Sequence, residues 1–340
     1  GFFVLNTQGQ FDHDYLGTPI TDNDTVDATA SSLPLIIFGG QGEDDIQGGS
    51  GNDIIFGDRG SVVYYNADGV TPLQVLGNGG LGDKTDGLAH LVGTINTVDL
   101  GVGSNDWIRA GEGDNIVFGG ANGGAEANGF DGDTLTAGTG NDIIIGDNGE
   151  LKFNATGFVV EYRTTDALAS TGGDDTIFAG EGSNTVLGGV GSDTITAGNG
   201  TDTILGDNGS VEMDDAGASF KRIESNVYAL GTTTEDYTGG IDTITTGEGT
   251  KIILGGFDAD IIKAGTDADG KPVGADSNHI IIGDNGVVDY TANGKPLNYR
   301  TTDLTATTGG GDTIYTGNGN NVILGGMGED DIITAIGSDV

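Results

Sequence analysis

The chain has 340 residues, of which 67 are glycine and none is cysteine, and its 52 acidic and 12 basic residues give a formal net charge of −40. This charge makes nucleic acids and anionic membrane surfaces poor partners and cations good ones, and the lack of cysteine excludes disulfides and thiolate metal sites. Acidity of this kind is also typical of a disordered or halophilic chain, so the pattern of residues has to distinguish such a chain from a cation-binding protein. No apolar run is long enough for a transmembrane helix, which predicts no membrane insertion.

The predicted elements alternate along one continuous repeat array, in which clusters of short repeats are separated by inserts. The inserts occupy residues 1–34, 61–98, 150–170, 210–237 and 287–307. The clusters occupy residues 35–60, 99–149, 171–209, 238–286 and 308–340. We interpret 1–34, 150–170 and 287–307 as β-hairpins, because short strand-like runs flank turn residues such as Asn293-Gly294. The last cluster stops inside a repeat, and we expect the chain to be cut from a longer array.

Each cluster repeats a nonapeptide of the form small-Gly-x-Gly-x-Asp-x-apolar-x, as in GGVGSDTIT from Gly188. Its first six residues carry glycines that suit turns, and its last three suit a short strand. Two repeats then form one coil, and the strands of stacked coils form parallel sheets in which neighbouring strands lie about 4.8 Å apart. A stack of roughly two dozen repeats would then be about 60 Å long. The middle strand residue is expected to point inward and its neighbours outward; the inward residues are Ile46, Ile55, Ile177, Val186, Ile195, Ile204, Ile244 and Ile314.

The sixth residue of the repeat is the candidate metal ligand. Sixth residues two repeats apart stack on the same side of the coil, and stacked carboxylates repel unless a cation lies between them. Ca²⁺ fits best, because it accepts many oxygen ligands in a forgiving geometry, whereas Mg²⁺ needs a stricter octahedron and Zn²⁺ prefers His or Cys. The predicted metal ligands are Asp44, Asp53, Asp106, Asp133, Asp142, Asp175, Asn184, Asp193, Asp202, Asp242, Asp260, Asp312, Asn321 and Asp330.

These nonapeptides resemble the calcium-binding repeats of the RTX (repeats-in-toxin, haemolysin-type) family, over roughly two thirds of the chain. The fold class that we predict is all-β, a right-handed parallel β-roll or β-solenoid with β-hairpin inserts. The resemblance implies that the Asp of one turn and that of the stacked turn share one Ca²⁺ with turn carbonyls. A competing interpretation is that Asp and Gly are merely good turn formers. Turn formation alone, however, does not require Asp at the same position of the nonapeptide in every cluster.

Several positions depart from the repeat pattern. Lys251 stands at a sixth position, where an ammonium cannot coordinate a metal; we expect it to neutralise Asp269 and to leave that level without Ca²⁺. Sites that would pair through Gly124 are doubtful. Weaker sites are expected at the neutral sixth residues, which are Asn115, Asn184 and Asn321.

The turn GDNG ends three of the clusters, and its variant GDRG at Gly57 ends the first. In this turn the Asp moves to the second position of the repeat, and the residues that follow leave the coil. The side chains of Asp147, Asp207 and Asp284 either bind a terminal Ca²⁺ or cap the turn by accepting backbone N–H groups; capping is the preferred role. The hairpin aromatics either cover the flank of the roll or form a lateral contact surface; they are Tyr64, Tyr65, Phe153, Phe158, Tyr162, Tyr290 and Tyr299.

No hydrolase, P-loop or zinc-protease motif is present, and surface or loop positions are expected for His13, His90 and His279, so we predict no enzymatic activity. The predicted function is that of a calcium-binding extracellular structural protein of a bacterium, a segment of a surface layer (S-layer), fibre or adhesin. Its roll would fold on Ca²⁺ binding after export, and the resemblance implies type I secretion. Predicted partners are calcium ions, together with other copies of the chain or cell-surface polysaccharide.

Two other functions remain open. The chain could be the calcium-binding secretion or folding module of a secreted enzyme or toxin whose catalytic part lies outside it. It could also be a carbohydrate-active β-helix, but such proteins usually have longer strands and a groove of basic and acidic residues. This chain has only 12 basic residues to offer.

Overall fold

The computed structural model describes residues 4–5, 11–13, 23–65, 71, 91–122, 132–165, 171–225, 239–267, 269–274, 277–303 and 308–340. These residues form 29 strands and no helix. The first fourteen strands are β1 (Val4–Leu5), β2 (Phe11–His13), β3 (Thr25–Asp27), β4 (Ile36–Phe38), β5 (Asp45–Gln47), β6 (Ile54–Phe56), β7 (Gly60–Tyr65), β8 (Leu91–Thr97), β9 (Trp107–Gly111), β10 (Ile116–Phe118), β11 (Thr134–Ala137), β12 (Ile143–Ile145), β13 (Gly149–Phe153) and β14 (Val159–Thr164). The others are β15 (Thr176–Gly180), β16 (Thr185–Gly189), β17 (Thr194–Ala197), β18 (Asp202–Asp207), β19 (Gly209–Met213), β20 (Phe220–Ser225), β21 (Thr243–Thr246), β22 (Lys251–Gly256), β23 (Ile261–Ala264), β24 (Ile280–Asp284), β25 (Gly286–Tyr290), β26 (Pro296–Thr301), β27 (Thr313–Thr316), β28 (Val322–Leu324) and β29 (Asp331–Ile333).

Consecutive repeats alternate between two parallel sheets, which together form a β-roll. The outer parallel sheet has ten strands in the order β29-β27-β23-β21-β17-β15-β11-β9-β5-β3, and the central sheet has nine in the order β28-β24-β22-β18-β16-β12-β10-β6-β4. Equivalent strands of successive coils pair in register, as Ile177 with Ile195 and Val186 with Ile204. The predicted fold class, with two repeats per coil, is therefore confirmed. Ten strands span about 45 Å, less than the expected 60 Å, because part of the repeat-like sequence lies outside the stack.

The first hydrophobic core lies between the two parallel sheets and is built from the middle residues of the strands. All eight residues predicted to point inward are buried with 0% exposure, from Ile46 near one end to Ile314 near the other. Burying such β-branched side chains stabilises each by about 1.5–3 kcal/mol relative to exposure. Each repeat therefore contributes one buried apolar side chain to the first core.

A second core lies on the other face of the central sheet. There the last of the three strand residues of most repeats is also buried, as for Phe118, Leu187 and Leu205, and it packs against Leu151 and Val211 of the inserts. The expectation that strand neighbours point outward to solvent is thus wrong for the central sheet, because the inserts cover its second face. On the outer parallel sheet the expectation is correct, since residues such as Thr194 and Thr196 are exposed.

The inserts build a single antiparallel sheet of eight strands, which we call the flank sheet, in the order β26-β25-β20-β19-β14-β13-β8-β7. Each hairpin also pairs with the next one, through Ile95 with Leu151, Tyr162 with Val211, and Ile223 with Val288. Most hairpin aromatics for which the structure gives a position cover the roll: Phe153, Tyr162, Tyr290 and Tyr299 pack into the second core, whereas Phe158 is 49% exposed.

The first insert differs from the others. Its strands β1 and β2 pair antiparallel, as a hairpin does, through Val4 with His13. Strand β3, which the sequence places in the same insert, joins the outer parallel sheet and pairs with β5, with Val26 opposite Ile46. The roll therefore begins before the first cluster that the sequence pattern identifies.

Candidate metal sites

The sixth residues of the repeats line the two edges of the roll, where the chain turns from one parallel sheet to the other. The acidic edge leads from the central sheet into the outer parallel sheet, and its sixth residues are Asp24, Asp44, Asp106, Asp133, Asp175, Asp193, Asp242, Asp260, Asp312 and Asp330. The mixed edge leads from the outer parallel sheet into the central sheet, and its sixth residues are Asp53, Asn115, Asp142, Asn184, Asp202, Lys251, His279, Asn321 and Asp339. All fourteen predicted ligands lie on one of these two edges.

A ladder of hydrogen bonds connects the sixth residues of each edge. On the acidic edge the Asp175 N–H donates to Asp193 Oδ1 at 2.8 Å, and the Asp193 N–H donates to Asp242 Oδ1 at 2.7 Å. The predicted neighbours two repeats apart, such as Asp175 and Asp193, do stack. The ladder also crosses the inserts, because the Asp44 N–H donates to Asp106 Oδ1 at 2.7 Å although the two residues are 62 apart in sequence.

The predicted break at Gly124 does not interrupt either edge. Gly124 itself lies outside the described residues. Asp106 donates its N–H directly to Asp133 Oδ1, and Asn115 donates its N–H to Asp142 Oδ1, at 2.6 and 2.8 Å.

The second carboxylate oxygen of the acidic-edge residues is the feature that requires a cation. Oδ1 accepts the ladder hydrogen bond, whereas Oδ2 is buried and has no hydrogen-bond partner in seven of these residues, which are Asp106, Asp133, Asp175, Asp193, Asp242, Asp260 and Asp312. A buried carboxylate oxygen without a donor is costly, and buried charges are normally paired or bound to a metal.

Backbone carbonyls adjoin these oxygens, and the first glycine of the repeat permits their close approach. A Cβ atom on Gly188 would lie 1.9 Å from Gly206 O and 2.2 Å from Asp193 Oδ2. Gly255 has the same surroundings, with Gly283 O at 1.9 Å and Asp260 Oδ2 at 2.2 Å. Carboxylate and carbonyl oxygens that converge in this way fit the hard, flexible coordination of Ca²⁺. Within the described residues no three His, Cys, Asp or Glu side chains form a metal-binding group, so carbonyls would have to complete each site.

The electrostatics of the acidic edge also favour a cation. Burial, and then the nearby carboxylates, raise the pKa of Asp106 to about 8, and burial raises the pKa of Asp175 and Asp312 to about 7. Burial and the charge of Asp175 raise the pKa of Asp193 well above its usual value. Since the charged form of these groups is disfavoured in the absence of metal, a divalent ion between them would stabilise it.

The mixed edge contains a buried ammonium group. Lys251 Nζ contacts Asp202 Oδ2 at 2.6 Å and donates to the carbonyls of Gly198 and Gly200 at 3.0 and 3.1 Å, and neither charged side chain is exposed. The expected partner, Asp269, is instead 79% exposed, so that expectation is wrong. The reason is that residues around Asp269 leave the stack before the next sixth position.

His279 occupies the sixth position that follows Lys251 on the mixed edge. It is 1% exposed, and its Nδ1 accepts the Lys251 N–H at 3.2 Å, so the expectation of a surface or loop position is wrong. Burial and then the Lys251 charge lower its pKa to about 4, which keeps the ring neutral. The sequence does carry the signal: Asn278-His279 precedes IIIGDNG, as Asn141-Asp142 does.

We predict that Lys251→Met destabilises the folded protein by about 3–5 kcal/mol, because it leaves the Asp202 carboxylate buried without its partner. Lys271→Met is the control: the Lys271–Asp269 pair is 3.7 Å apart and exposed, so its loss should cost about 0–1 kcal/mol. Urea unfolding at saturating calcium measures both. Equal effects would contradict the pairing of Lys251 with Asp202.

The Asp of the GDNG turn caps two other turns of the acidic edge. Asp207 accepts the Gly240 N–H at 3.1 Å and also the Phe257 N–H. The equivalent donors are Gly173 and Val190 for Asp147, and Gly310 and Met327 for Asp284. In each case one donor belongs to the coil that re-enters the stack after the insert and the other to the turn that follows. The preferred capping role is thus what the geometry shows, and the cap fixes where the chain returns.

Stacked coils, glycine turns and an edge of carboxylate and carbonyl oxygens are the features of a calcium-binding β-roll module. A family model described as the RTX calcium-binding nonapeptide repeat (4 copies) matches residues 36–63, 100–122, 128–150, 164–195, 178–210 and 307–340. The chain therefore carries RTX repeats, in several copies between residues 36 and 340, as the resemblance indicated. No curated protein and no solved structure gave a match. The unmatched stretch before residue 307 includes Lys251 and His279, where the edge departs from the repeat pattern.

Among the described residues, no helix has the length and apolar character needed to cross a membrane.

Proposed function

We propose that this protein is a calcium-dependent extracellular structural protein of a bacterium, whose roll folds after export and serves as a segment of a surface layer, fibre or adhesin. The observation that carries the proposal is the column of seven buried Oδ2 atoms on the acidic edge. The chain carries a net charge of −40. If it folded without cations, like charges would come together in a medium of low polarity, which is unfavourable.

Calcium supplies the switch between the exported and the folded chain. Each ion offsets two negative charges and joins successive turns, so that its binding free energy contributes directly to folding. Where calcium is scarce the chain would stay expanded, which suits passage through a type I secretion channel. In a calcium-rich exterior it would fold.

The continuity of the three sheets supports a structural role. The outer parallel, central and flank sheets have ten, nine and eight strands, and each runs along the stacking direction without interruption. Such a design extends by addition of coils, each about 4.8 Å long, and buries new apolar surface at each step. Predicted partners remain other copies of the chain or cell-surface polysaccharide.

Electron microscopy of the native source, with antibody labelling of this chain, tests the proposal. We expect label on layers or fibres at the cell surface, and release of the label after a wash with chelator. Label on a monodisperse secreted enzyme would contradict it and favour a folding module of an enzyme or toxin. A magnesium wash serves as the control and should leave the label in place.

A further inference from the structure

We infer that this protein binds calcium mainly along the acidic edge, and that side-chain N–H donors of Asn115, Asn184, Lys251 and Asn321 take cation positions on the mixed edge. The inference rests on the calcium-dependent role proposed above. It goes further in assigning different chemistry to the two edges, although both are built from the same nonapeptide.

The carboxylate oxygens that lack donors are distributed unequally. Seven of the Asp residues on the acidic edge have a buried Oδ2 without a hydrogen-bond partner. On the mixed edge Asp142 is the one described sixth residue whose Oδ2 is in this state, because Asp53 Oδ2 accepts the Gly49 N–H at 3.0 Å and Asp202 Oδ2 accepts from Lys251. The need for a cation is therefore concentrated on one edge.

The asparagines of the mixed edge are oriented by the ladder. Asn115 Oδ1 accepts the Asp53 N–H at 3.0 Å, and Asn184 Oδ1 accepts the Asp142 N–H at 3.0 Å. Because Oδ1 has to face that donor, the amide nitrogen has to face the turn, where a second carboxylate oxygen would otherwise lie. Asn321 has the same orientation, with Oδ1 accepting the His279 N–H at 2.9 Å.

The amide nitrogens then donate to turn carbonyls. Asn115 Nδ2 lies 3.0 Å from Gly113 O, and Asn184 Nδ2 lies 3.3 Å from Gly180 O. These carbonyls come from the same kind of glycine turn that would supply metal ligands on the acidic edge. An N–H donor at this point occupies one of the two lone pairs of the carbonyl oxygen, and the amide offers no second side-chain oxygen to an ion.

Lys251 is the clearest case of such replacement. Its Nζ is surrounded by the Gly198 and Gly200 carbonyls and by the Asp202 carboxylate, which are the oxygen ligands expected for a metal ion. The ammonium group also carries a positive charge. This ammonium is a cation covalently attached to the chain. At that level the mixed edge needs no calcium, and the space is filled.

No described sixth residue of the acidic edge is a comparable donor. Every sixth residue from Asp24 to Asp330 is an aspartate, and a carboxylate offers only acceptors. Free ions are therefore the available partners for its Oδ2 atoms. We expect about seven bound ions, as many as the Oδ2 atoms without partners, with one more at Asp142 at most.

Calcium titration by calorimetry on the full chain, combined with a matched pair of variants from neighbouring turns, tests the inference. Asp193→Asn on the acidic edge should reduce the number of bound ions by at least one. Asn184→Ala on the mixed edge should leave the number unchanged, and Asn184→Asp should raise it by one, because the donor becomes an acceptor. Circular dichroism at saturating calcium verifies that each variant is folded.

The single tryptophan provides a second readout. Trp107 directly follows Asp106 on the acidic edge and is 62% exposed, so it can sensitise the luminescence of a terbium ion bound there. Asp106→Asn should lower this luminescence, whereas Asn115→Ala, in the same coil but on the mixed edge, should not.

If the mixed-edge variants Asn184→Ala and Asn115→Ala lost as many ions or as much luminescence as the acidic-edge variants, the inference would be overturned while the calcium-dependent role stayed intact. A wild-type chain that binds no calcium would overturn both.

Discussion

Removal of calcium at about pH 8 unfolds the roll, and acidification to about pH 5 restores much of the β-sheet without calcium; this is the expected result with the largest amplitude. At the higher pH the acidic-edge carboxylates ionise, and their Oδ2 atoms have neither donors nor ions. Their repulsion and desolvation then oppose every coil of the stack at once. Circular dichroism of chelator-treated protein, recorded across this pH range, measures the change.

The direction of the pH effect follows from raised pKa values. An acid whose folded-state pKa is raised contributes stability that is complete below its unfolded value, near 4, and is lost as the pH rises through the folded value. That folded value is about 6 for Asp142, about 7 for Asp175 and Asp312, and about 8 for Asp106. The metal-free fold should therefore weaken from about pH 6 to about pH 8.

The same titration in millimolar calcium is the control, and there the fold should persist at the higher pH because the ions stabilise the ionised carboxylates. A β-sheet signal that is indifferent to chelator at about pH 8 would contradict the role of the acidic edge. Magnesium at equal concentration should restore less of the signal, because it gives up its bound waters reluctantly.

Gly188→Ala is expected to weaken calcium-dependent folding strongly, whereas Gly101→Ala should be close to neutral. Both glycines open a repeat of the roll. At Gly188 the added methyl group would lie 1.9 Å from the Gly206 carbonyl oxygen and 2.2 Å from Asp193 Oδ2, and it would fill the space beside the carboxylate. At Gly101 its nearest neighbour would be a methyl carbon of Thr171 at 3.9 Å.

Overpacking alone costs about 1–3 kcal/mol, and loss of the ion adds to it at Gly188. Calcium titrations followed by circular dichroism compare the two variants: the Gly188 variant should need more calcium for half-folding and bind fewer ions. If the two variants behaved alike, the space beside Asp193 Oδ2 would not be an ion site.

The sequence was sufficient for the features that repeat. Inward residues such as Ile195 and stacked pairs such as Asp175 and Asp193 follow from the period of the nonapeptide, because each copy has the same surroundings. The burial of Phe118 and Leu205 on the second face of the central sheet could also be predicted from the sequence, since the third strand residue is apolar in every second repeat.

Features that depend on contacts across an insert could not be predicted. The pairing of Asp44 with Asp106 requires knowledge of where the chain re-enters the stack, and that point is fixed in space by caps such as those made by Asp207. Lys251 was assigned to the wrong aspartate for the same reason, because the extra residues after Gly265 shift the frame of the repeat.

The flank sheet sets the unit by which this architecture grows. A hairpin follows every second strand of the central sheet, after β6, β12, β18 and β24, and each hairpin contributes two strands. Two coils and one hairpin therefore lengthen both layers by the same two strand spacings, so the covering layer stays commensurate with the layer that it covers. Addition of a single coil would leave one strand of the central sheet uncovered, and deletion of one would leave a strand of the flank sheet with nothing beneath it. A duplication of two coils with their hairpin would preserve the register of the layers.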